Sequence, residues 1–216
     1  DSLRSRGLGD VYKRQIIEIE KVEKMLENST SQLQLIDKNF VDLIWENQPK
    51  TQYTDIFDHP TVFAGQGRRE KLDILKKFLD KNEIDHYFVS GLDNIAWLLN
   101  LRADDIKYTP LLYSYLLISK NNKHSLYIKE SSMPEILKKE IQTLININNI
   151  ENIGSIFNNI NSSESIGLDF NSTTYYFLDL LRKQKINSKN LANPCILLKA
   201  IKNKTELDGA KKAHIR

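Results

Sequence analysis

The sequence predicts an α/β domain over about residues 67–192, with pieces of neighbouring domains on either side. Two observations favour this fold class. Segments with the apolar period of helices alternate with short apolar segments typical of strands. The chain also has 216 residues, of which 40% are hydrophobic. That is enough to bury a core without disulfides or a structural metal.

The central domain is expected to begin with a helix at Arg68, because Leu72, Leu75 and Leu79 share one helical face. A capping box of Ser132 and Glu135 predicts the start of another helix. The other predicted elements are a strand at 86–89, a helix at 94–100, a strand at 111–118, a turn at 120–123, a hairpin strand at 125–128, a strand at 166–170 and a helix at 173–183. Weaker strand and helix signals fill residues 145–161.

Residues 16–67 carry weaker signals than the central domain. Residues 16–28 have apolar side chains near helical spacing, which predicts an amphipathic helix. Residues 33–36 indicate a strand and residues 39–45 a short helix. Residues 48–67 contain two Pro and two Gly, a composition typical of a linker between domains.

Both ends of the chain differ from what a complete protein would show. Residues 1–15 contain three Arg in a chain that otherwise prefers Lys, and they resemble translated sequencing-adapter sequence. We therefore exclude them from fold reasoning. There is no initiator Met, and residues 204–216 open a helix without a stop signal. We expect a fragment truncated at both ends.

Composition excludes several classes of protein. The single Cys excludes a disulfide framework and a Cys-based zinc cluster, and it fits a reducing compartment such as the cytoplasm. A net charge of +3 does not indicate nucleic-acid binding. No apolar run approaches the ~18 residues of a membrane span, and the N-terminus has no secretory signal.

The residues alone show no catalytic constellation. Phosphate-loop, dinucleotide-binding, zinc-protease and serine-hydrolase motifs are absent. Cys195 lies in an apolar run and is expected to be buried and inert. Asp104 and Asp105 are expected to be loop carboxylates, since adjacent side chains of an extended segment diverge. The four His lie far apart in sequence, with expected environments that are hydrogen-bonded and partly buried for His86, solvated for His124 and structural for His59 and His214.

Three segments, residues 39–49, 91–115 and 198–216, resemble the three-domain, cytosolic-type Xaa-Pro aminopeptidase family of the creatinase/prolidase superfamily. The resemblance covers nearly all of the chain from Ile16 onward. Two departures concern a loop: Ala103 stands where the family usually has Gly, and Thr109 where it often has Asn.

The resemblance implies a layout of domains. Residues 16–60 would be the last part of a first creatinase-like domain with its linker. Residues 61–193 would be a second creatinase-like domain, a mixed sheet flanked by helices. Residues 194–216 would begin a pita-bread catalytic domain, with a strand at 196–201 and a helix capped by Asn203 and Glu206.

The resemblance also implies an activity for the parent protein. Family members are hydrolases that release the N-terminal residue of peptides with Pro in second position. They use two divalent metal ions, usually manganese, held by two Asp, one His and two Glu. Those ligands would lie beyond position 216, so we expect no catalytic or metal-ligating residue and no peptidase activity in this chain. A peptide substrate, a homodimer and a cytoplasmic location are implied for the parent, without nucleic acid or membrane.

Arg102 and Tyr108 are the two candidate site residues, expected near the substrate channel or a domain interface. The alternative is that Arg102 pairs with Asp104 or Asp105 and that Tyr108 simply packs.

Two other functions remain open for the parent. One is a catalytically inactive, peptidase-like protein-binding module. The other is a related creatinase or prolidase, which is less favoured because those enzymes have one N-terminal domain.

Overall fold

A six-stranded mixed sheet organises the structure, a computed structural model that describes residues 17–27 and 44–215. The strands are β1 (Phe57–Asp58), β2 (His86–Val89), β3 (Leu101–Arg102), β4 (Tyr115–Ser119), β5 (His124–Ile128), β6 (Ile145–Asn149), β7 (Ser165–Leu168) and β8 (Asn187–Asn190). The main sheet has the order β6-β5-β4-β2-β7-β8, and β1 and β3 form a separate antiparallel pair. In the main sheet β4 is antiparallel to both β2 and β5, while the other pairs are parallel. The predicted mixed α/β sheet is confirmed.

Helices cover both faces of this sheet. They are α1 (Ile19–Glu27), α2 (Thr61–Ala64), α3 (Arg68–Lys81), α4 (Leu92–Leu99), α5 (Glu135–Gln142), α6 (Tyr175–Lys183), α7 (Pro194–Ala200) and α8 (Lys204–Ile215), with 3-10 turns at Glu130–Ser132 and Ile150–Ser155. The helices predicted from Arg68, at 94–100 and at 173–183 are confirmed within one or two residues by α3, α4 and α6. No helix among the described residues is long and apolar enough to cross a membrane.

The apolar side chains form two cores, one on each face of the sheet. Tyr87 and Val89 of β2 point into the first core with Leu75 of α3. Phe88, between them, points into the second and lies 4.4 Å from Phe177 of α6 between ring centroids. Successive strand residues face opposite sides, so all four residues of β2 are buried.

Helix α1 belongs to the second core. The N–H of Ile19 donates to the carbonyl of Thr173 at 3.0 Å, and that of Glu20 to the carbonyl of Phe170 at 3.1 Å. Ile19 and Val22 are buried there. The amphipathic helix predicted at 16–28 is thus confirmed. The strand predicted at 33–36, and all but the last two residues of the helix predicted at 39–45, lie outside the described residues.

The segment predicted to be a linker, residues 48–67, is docked on the first core. Ile56 is buried there, and its N–H donates to the carbonyl of Ser132 at 2.7 Å. Phe57 then pairs with Arg102 in the β1–β3 ladder. The apolar side chain of Ile56, between the Pro and Gly residues, therefore ties the predicted linker to the sheet.

Two predicted boundaries are wrong for local reasons. The strand predicted at 111–118 begins only at Tyr115, because the N–H of Tyr113 donates to Asp105 instead of to a neighbouring strand. The capping box of Ser132 and Glu135 does not form. Pro134 occupies the position before α5, and it disfavours helical geometry at the preceding residue, so the helix cannot extend back to Ser132.

The strand predicted at 196–201 is also wrong, since these residues lie in and just after helix α7. A short apolar run does not by itself distinguish a strand from a buried helix. The helix is started by its N-cap residue, Asn193, and by its first residue, Pro194. Asn193 Oδ1 accepts a hydrogen bond from the N–H of Cys195 at 3.0 Å, and Pro194 occupies the first turn, where its missing N–H costs nothing.

Candidate functional site: a cationic junction around Arg102

Arg102 lies on β3, directly after α4, and its side chain turns back onto that helix. Its Nη1 donates to the carbonyls of Ala96 at 2.7 Å and Leu101 at 2.9 Å. Burial lowers the pKa of the guanidinium, which remains charged at any ordinary pH. The alternative that Arg102 pairs with Asp104 or Asp105 is therefore wrong.

Asp105 instead joins the 102–113 loop to the segment before β1. Its Oδ1 accepts from the N–H and the hydroxyl of Thr54 at 2.7 and 2.9 Å, and its Oδ2 accepts from the N–H of Tyr113 at 2.9 Å. The N–H of Asp104 completes the junction by donating to the Thr54 hydroxyl at 2.8 Å. Both residues are loop carboxylates, as predicted.

Tyr108 stands at the tip of this loop. Its side chain is 92% exposed and its φ is +66°, a left-handed conformation that is uncommon for a residue with a side chain. The Nζ of Lys107 lies 5.0 Å from its ring centroid. The alternative that Tyr108 packs is wrong. Within residues 17–27 and 44–215, no hydrogen bond or ring contact joins it to Arg102, so the two candidates do not form one cluster.

The C-terminal turn of α4 is the centre of the site. The last four carbonyls of a helix have no partner inside it, and their dipoles favour cations. Three cationic side chains donate to carbonyls of this turn: Arg102 to Ala96, Lys71 to Trp97 at 2.8 Å and Arg68 to Leu99 at 3.0 Å. These cations come from α3 and β3, so the helix end holds two neighbouring elements together.

Lys71 is the most buried of these cations, with 1% of its surface exposed. Besides Trp97, its Nζ donates to Asn100 Oδ1 at 2.7 Å and lies 4.2 Å from the centroid of the Trp97 ring. Burial lowers the pKa of Lys71 to about 8. The negative charge of Glu206 opposes that change, and Arg102 adds to it. At pH 7 the ammonium remains mostly charged.

Glu206 reaches this cluster from α8. Its Oε1 accepts from the indole N–H of Trp97 at 3.2 Å. Its Oε2 accepts from the N–H of Asn203, and Asn203 Oδ1 accepts from the N–H of Glu206, both at 2.9 Å. This reciprocal pair is the predicted capping box. Asn203 Nδ2 also donates to the carbonyl of Ala64 at 2.8 Å, so the capped end of α8 is tied to both α2 and α4.

Ion pairs and a neutral histidine lie at the edge of the junction. Arg68 also forms ion pairs with Asp58 and Glu140. His59 lies beside β1, and burial lowers its pKa, as do the charges of Arg102 and Lys71. The imidazole is therefore neutral at pH 7 and adds no charge to the cluster.

The other His and Cys residues lie outside this junction. His86 is hydrogen-bonded as predicted, with Nδ1 3.0 Å from the Ser119 hydroxyl, and it is fully rather than partly buried. Its Nε2 is 3.5 Å from Glu164 Oε1 without hydrogen-bond alignment. His124 was expected to be solvated, which is wrong, since it is only 4% exposed. Strand β5 directs this side chain into the protein, whereas its position beside a turn had indicated exposure to solvent.

Cys195 is buried, and burial raises its pKa to about 12, which makes it a poor nucleophile.

The junction is suited to holding elements together and not to binding a metal ion. Residues 17–27 and 44–215 contain no cluster of three or more His, Cys, Asp or Glu side chains that could hold a metal. Lys71, Trp97 and Glu206 were not predicted as site residues. The capping box predicted for Glu206 was the one sequence signal near them, because the Trp97–Glu206 contact spans 109 positions and the Lys71–Trp97 contact spans 26.

Comparisons with known proteins show a matching family and similar relatives. Residues 47–206 match the model of the creatinase/prolidase N-terminal domain. The chain is 31% identical over 206 residues to a probable Xaa-Pro aminopeptidase P of Pyrenophora teres f. teres, covering 91% of this chain and 31% of that protein. It is 33% identical over 198 residues to the probable Xaa-Pro aminopeptidase P of Sordaria macrospora, covering 86% and 32% respectively.

Among solved structures, the chain is similar to X-prolyl aminopeptidase from Caenorhabditis elegans, described as a cytosolic enzyme with a di-nuclear active site. The TM-score is 0.83 at 22% identity, over 93% of this chain and 34% of that one. This likeness shows the fold. The chain spans about a third of the length of the curated relatives named above.

Proposed function

The chain belongs to the family of the creatinase/prolidase N-terminal domain, and on that premise we propose that it is the non-catalytic N-terminal and middle portion of an Xaa-Pro aminopeptidase. The parent would release the first residue of peptides whose second residue is Pro. The observation that carries the proposal is the similarity over about nine-tenths of this chain to proteins named as probable Xaa-Pro aminopeptidases P.

We propose that the junction around Arg102 positions α8 on the creatinase-like domain. Helix α8 follows what the sequence resemblance identifies as the start of the catalytic domain. It contacts the rest of the described structure through Glu206, bonded to Trp97, and through Asn203, bonded to Ala64. No side chain of α8 is buried, so these two contacts would set the angle at which the chain continues.

We further propose that two divalent metal ions, manganese as the family resemblance implies, act only in the parent enzyme, and that the parent is a cytoplasmic homodimer. The di-nuclear active site of the nematode enzyme supports two metals by analogy. The described residues do not fit that centre, because they contain no group of three or more His, Cys, Asp or Glu side chains that could hold a metal ion. No step of the reaction is therefore assigned to residues of this chain.

The experiment that tests the function begins by extending the gene past the codon for Arg216. The product of the longer reading frame is assayed with Mn²⁺ on a peptide with Pro in second position and on a matched peptide with Ala there. We expect release of the first residue from the Pro peptide only, abolished by chelation. The purified 216-residue chain should release nothing. Turnover by that chain refutes its non-catalytic role, and a metal-loaded longer product without turnover favours the binding-module alternative.

Arg102 and Tyr108 remain proposals as residues of a substrate channel or domain interface. Tyr108 is the better test, since its exposed ring can be removed without disturbing the core. In the longer product, Tyr108→Ala should raise KM for the Pro peptide or weaken dimerisation, with an unchanged unfolding midpoint. Ile136→Ala is the matched control, because Ile136 is 86% exposed on α5. Equal values of KM and dimer affinity for both variants would remove Tyr108 from the site.

A further inference from the structure

A cavity of about 300 Å³ is lined by residues of α3 other than those of the junction. It is formed by α3, by the turn between β4 and β5 and by the turn between α5 and β6. The side chains that give it its chemical character are Arg69, Asp73, Lys76, Lys123, His124 and Thr143. Its volume is at the lower end of the range of small-molecule sites, ~300–1,000 Å³.

The buried ring of His124 lines this cavity and carries a hydrogen-bond donor. Its Nδ1 accepts the N–H of Ser119 at 3.1 Å, so the neutral ring carries its proton on Nε2. No group of the described part of the chain bonds Nε2. Burial, followed by the charge of Lys76, lowers the pKa of His124 to about 4, while Asp73 opposes the change. At pH 7 the ring is therefore a neutral donor.

The charges around the cavity are mainly positive. Three cationic side chains and one carboxylate line it, a net charge of +2. Within residues 17–27 and 44–215, Arg69 and Lys76 have no carboxylate within ion-pair distance. Lys123 donates to the carbonyl of Gln142 at 3.0 Å, which fixes its ammonium at the rim and leaves two of its protons free.

We propose that this cavity binds a doubly charged oxyanion, the phosphate group of a small phosphate ester or free phosphate. The two net positive charges match a phosphate dianion, and the Nε2–H of His124 and the rim cations offer charge-assisted hydrogen bonds to its oxygens. A metal cation is disfavoured by the same charges. An apolar ligand is disfavoured by the polar lining.

The test is calorimetric titration of the 216-residue chain with inorganic phosphate, with glycerol phosphate and with acetate at matched ionic strength. We expect saturable 1:1 binding of the phosphates and none of acetate. Tighter binding of glycerol phosphate than of inorganic phosphate identifies an ester as the ligand class, and the reverse order identifies the free ion. Equal heats for acetate would overturn the site, because they would show only nonspecific charge screening.

Variants locate the binding. Lys76→Gln and Lys123→Gln should each weaken phosphate binding about fivefold, a loss of ~1 kcal/mol. The matched control is Lys120→Gln, which removes the same charge from the same β4–β5 turn. Lys120 pairs with Asp80 at 2.7 Å and does not line the cavity. Equal weakening in all three variants would refute the cavity as the site.

Proton resonances of the His124 ring give an independent readout. A bound anion beside Nε2 favours the imidazolium, so phosphate should raise the pKa of His124, as linkage requires. The charged groups facing this ring are Lys76 and Asp73 of α3, with Arg69 and Lys123 at the rim. The exposed His214 is the control, and phosphate should leave its ring resonances in place. A phosphate-independent pKa of His124 would contradict the proposal.

Discussion

The acid sensitivity of the fold should depend on His124. We consider His124→Asn, in which the amide Oδ1 of Asn can replace Nδ1 as the acceptor of the Ser119 N–H. The variant therefore keeps the backbone contact but cannot gain a proton. Any difference in pH dependence between the variant and the natural chain then reports the titration of this one ring.

The size of the effect follows from the pKa of His124 in the folded and unfolded chain. Burial lowers the pKa to about 4 from the ordinary value of 6.5. A histidine whose pKa is depressed by folding adds stability that is fully present above pH 6.5 and lost as the pH falls through 4. Relative to pH 7.5, the natural chain should lose ~2 kcal/mol of unfolding free energy at pH 5 and ~3 kcal/mol at pH 4 through this group.

Urea unfolding at pH 7.5, 5 and 4 measures these losses. Burial also lowers the pKa of His86, and hydrogen bonds from Ser165 lower that of Asp85, so both proteins lose stability in acid. The variant should lose less than the natural chain by the amounts given above. His214→Asn, which removes an exposed ring, should behave as the natural chain does. Parallel losses in the natural chain and His124→Asn would refute the reasoning.

Three further substitutions test the junction through the same unfolding measurement. Lys71→Met removes the ammonium and leaves the Trp97 carbonyl and Asn100 Oδ1 without their donor, so it should lower the unfolding free energy by ~1–3 kcal/mol. Lys77→Met, on the exposed side of the same helix, should lower it little. Gly65→Ala should cost more than ~1 kcal/mol, because φ is +70° and the added methyl would collide with the Asn203 side chain. Gly209→Ala, with open space around it, should be neutral or stabilising. Glu206→Ala should cost ~1–2 kcal/mol through the lost cap and should shift tryptophan emission by removing the indole's acceptor.

Each of these results can contradict the structure. An unchanged stability in Lys71→Met would mean that its ammonium is solvated. Equal effects at Gly65 and Gly209 would mean that α8 does not approach α2. An unshifted emission in Glu206→Ala would mean that Trp97 and Glu206 do not meet, since Trp45 is the only other indole in the chain.

Much of the fold could be predicted from sequence because it depends on local patterns. The leucines of α3 repeat at helical spacing, so their shared face identifies a helix without any partner. The capping box of Asn203 and Glu206 is equally local, since both partners lie within one turn. The errors occur where a competing contact comes from elsewhere, as when Asp105 takes the N–H of Tyr113 and delays β4.

The sequence by itself determined the fold class, the order of most elements, the absence of a nucleophilic Cys and the family resemblance. Only the tertiary structure decided which polar groups meet. It brought Lys71 to the C-terminus of α4, Glu206 to Trp97 and His124 to the wall of a cationic cavity. The physical reason is that the charge state and partners of a side chain depend on burial and on groups distant in sequence, which no local pattern contains.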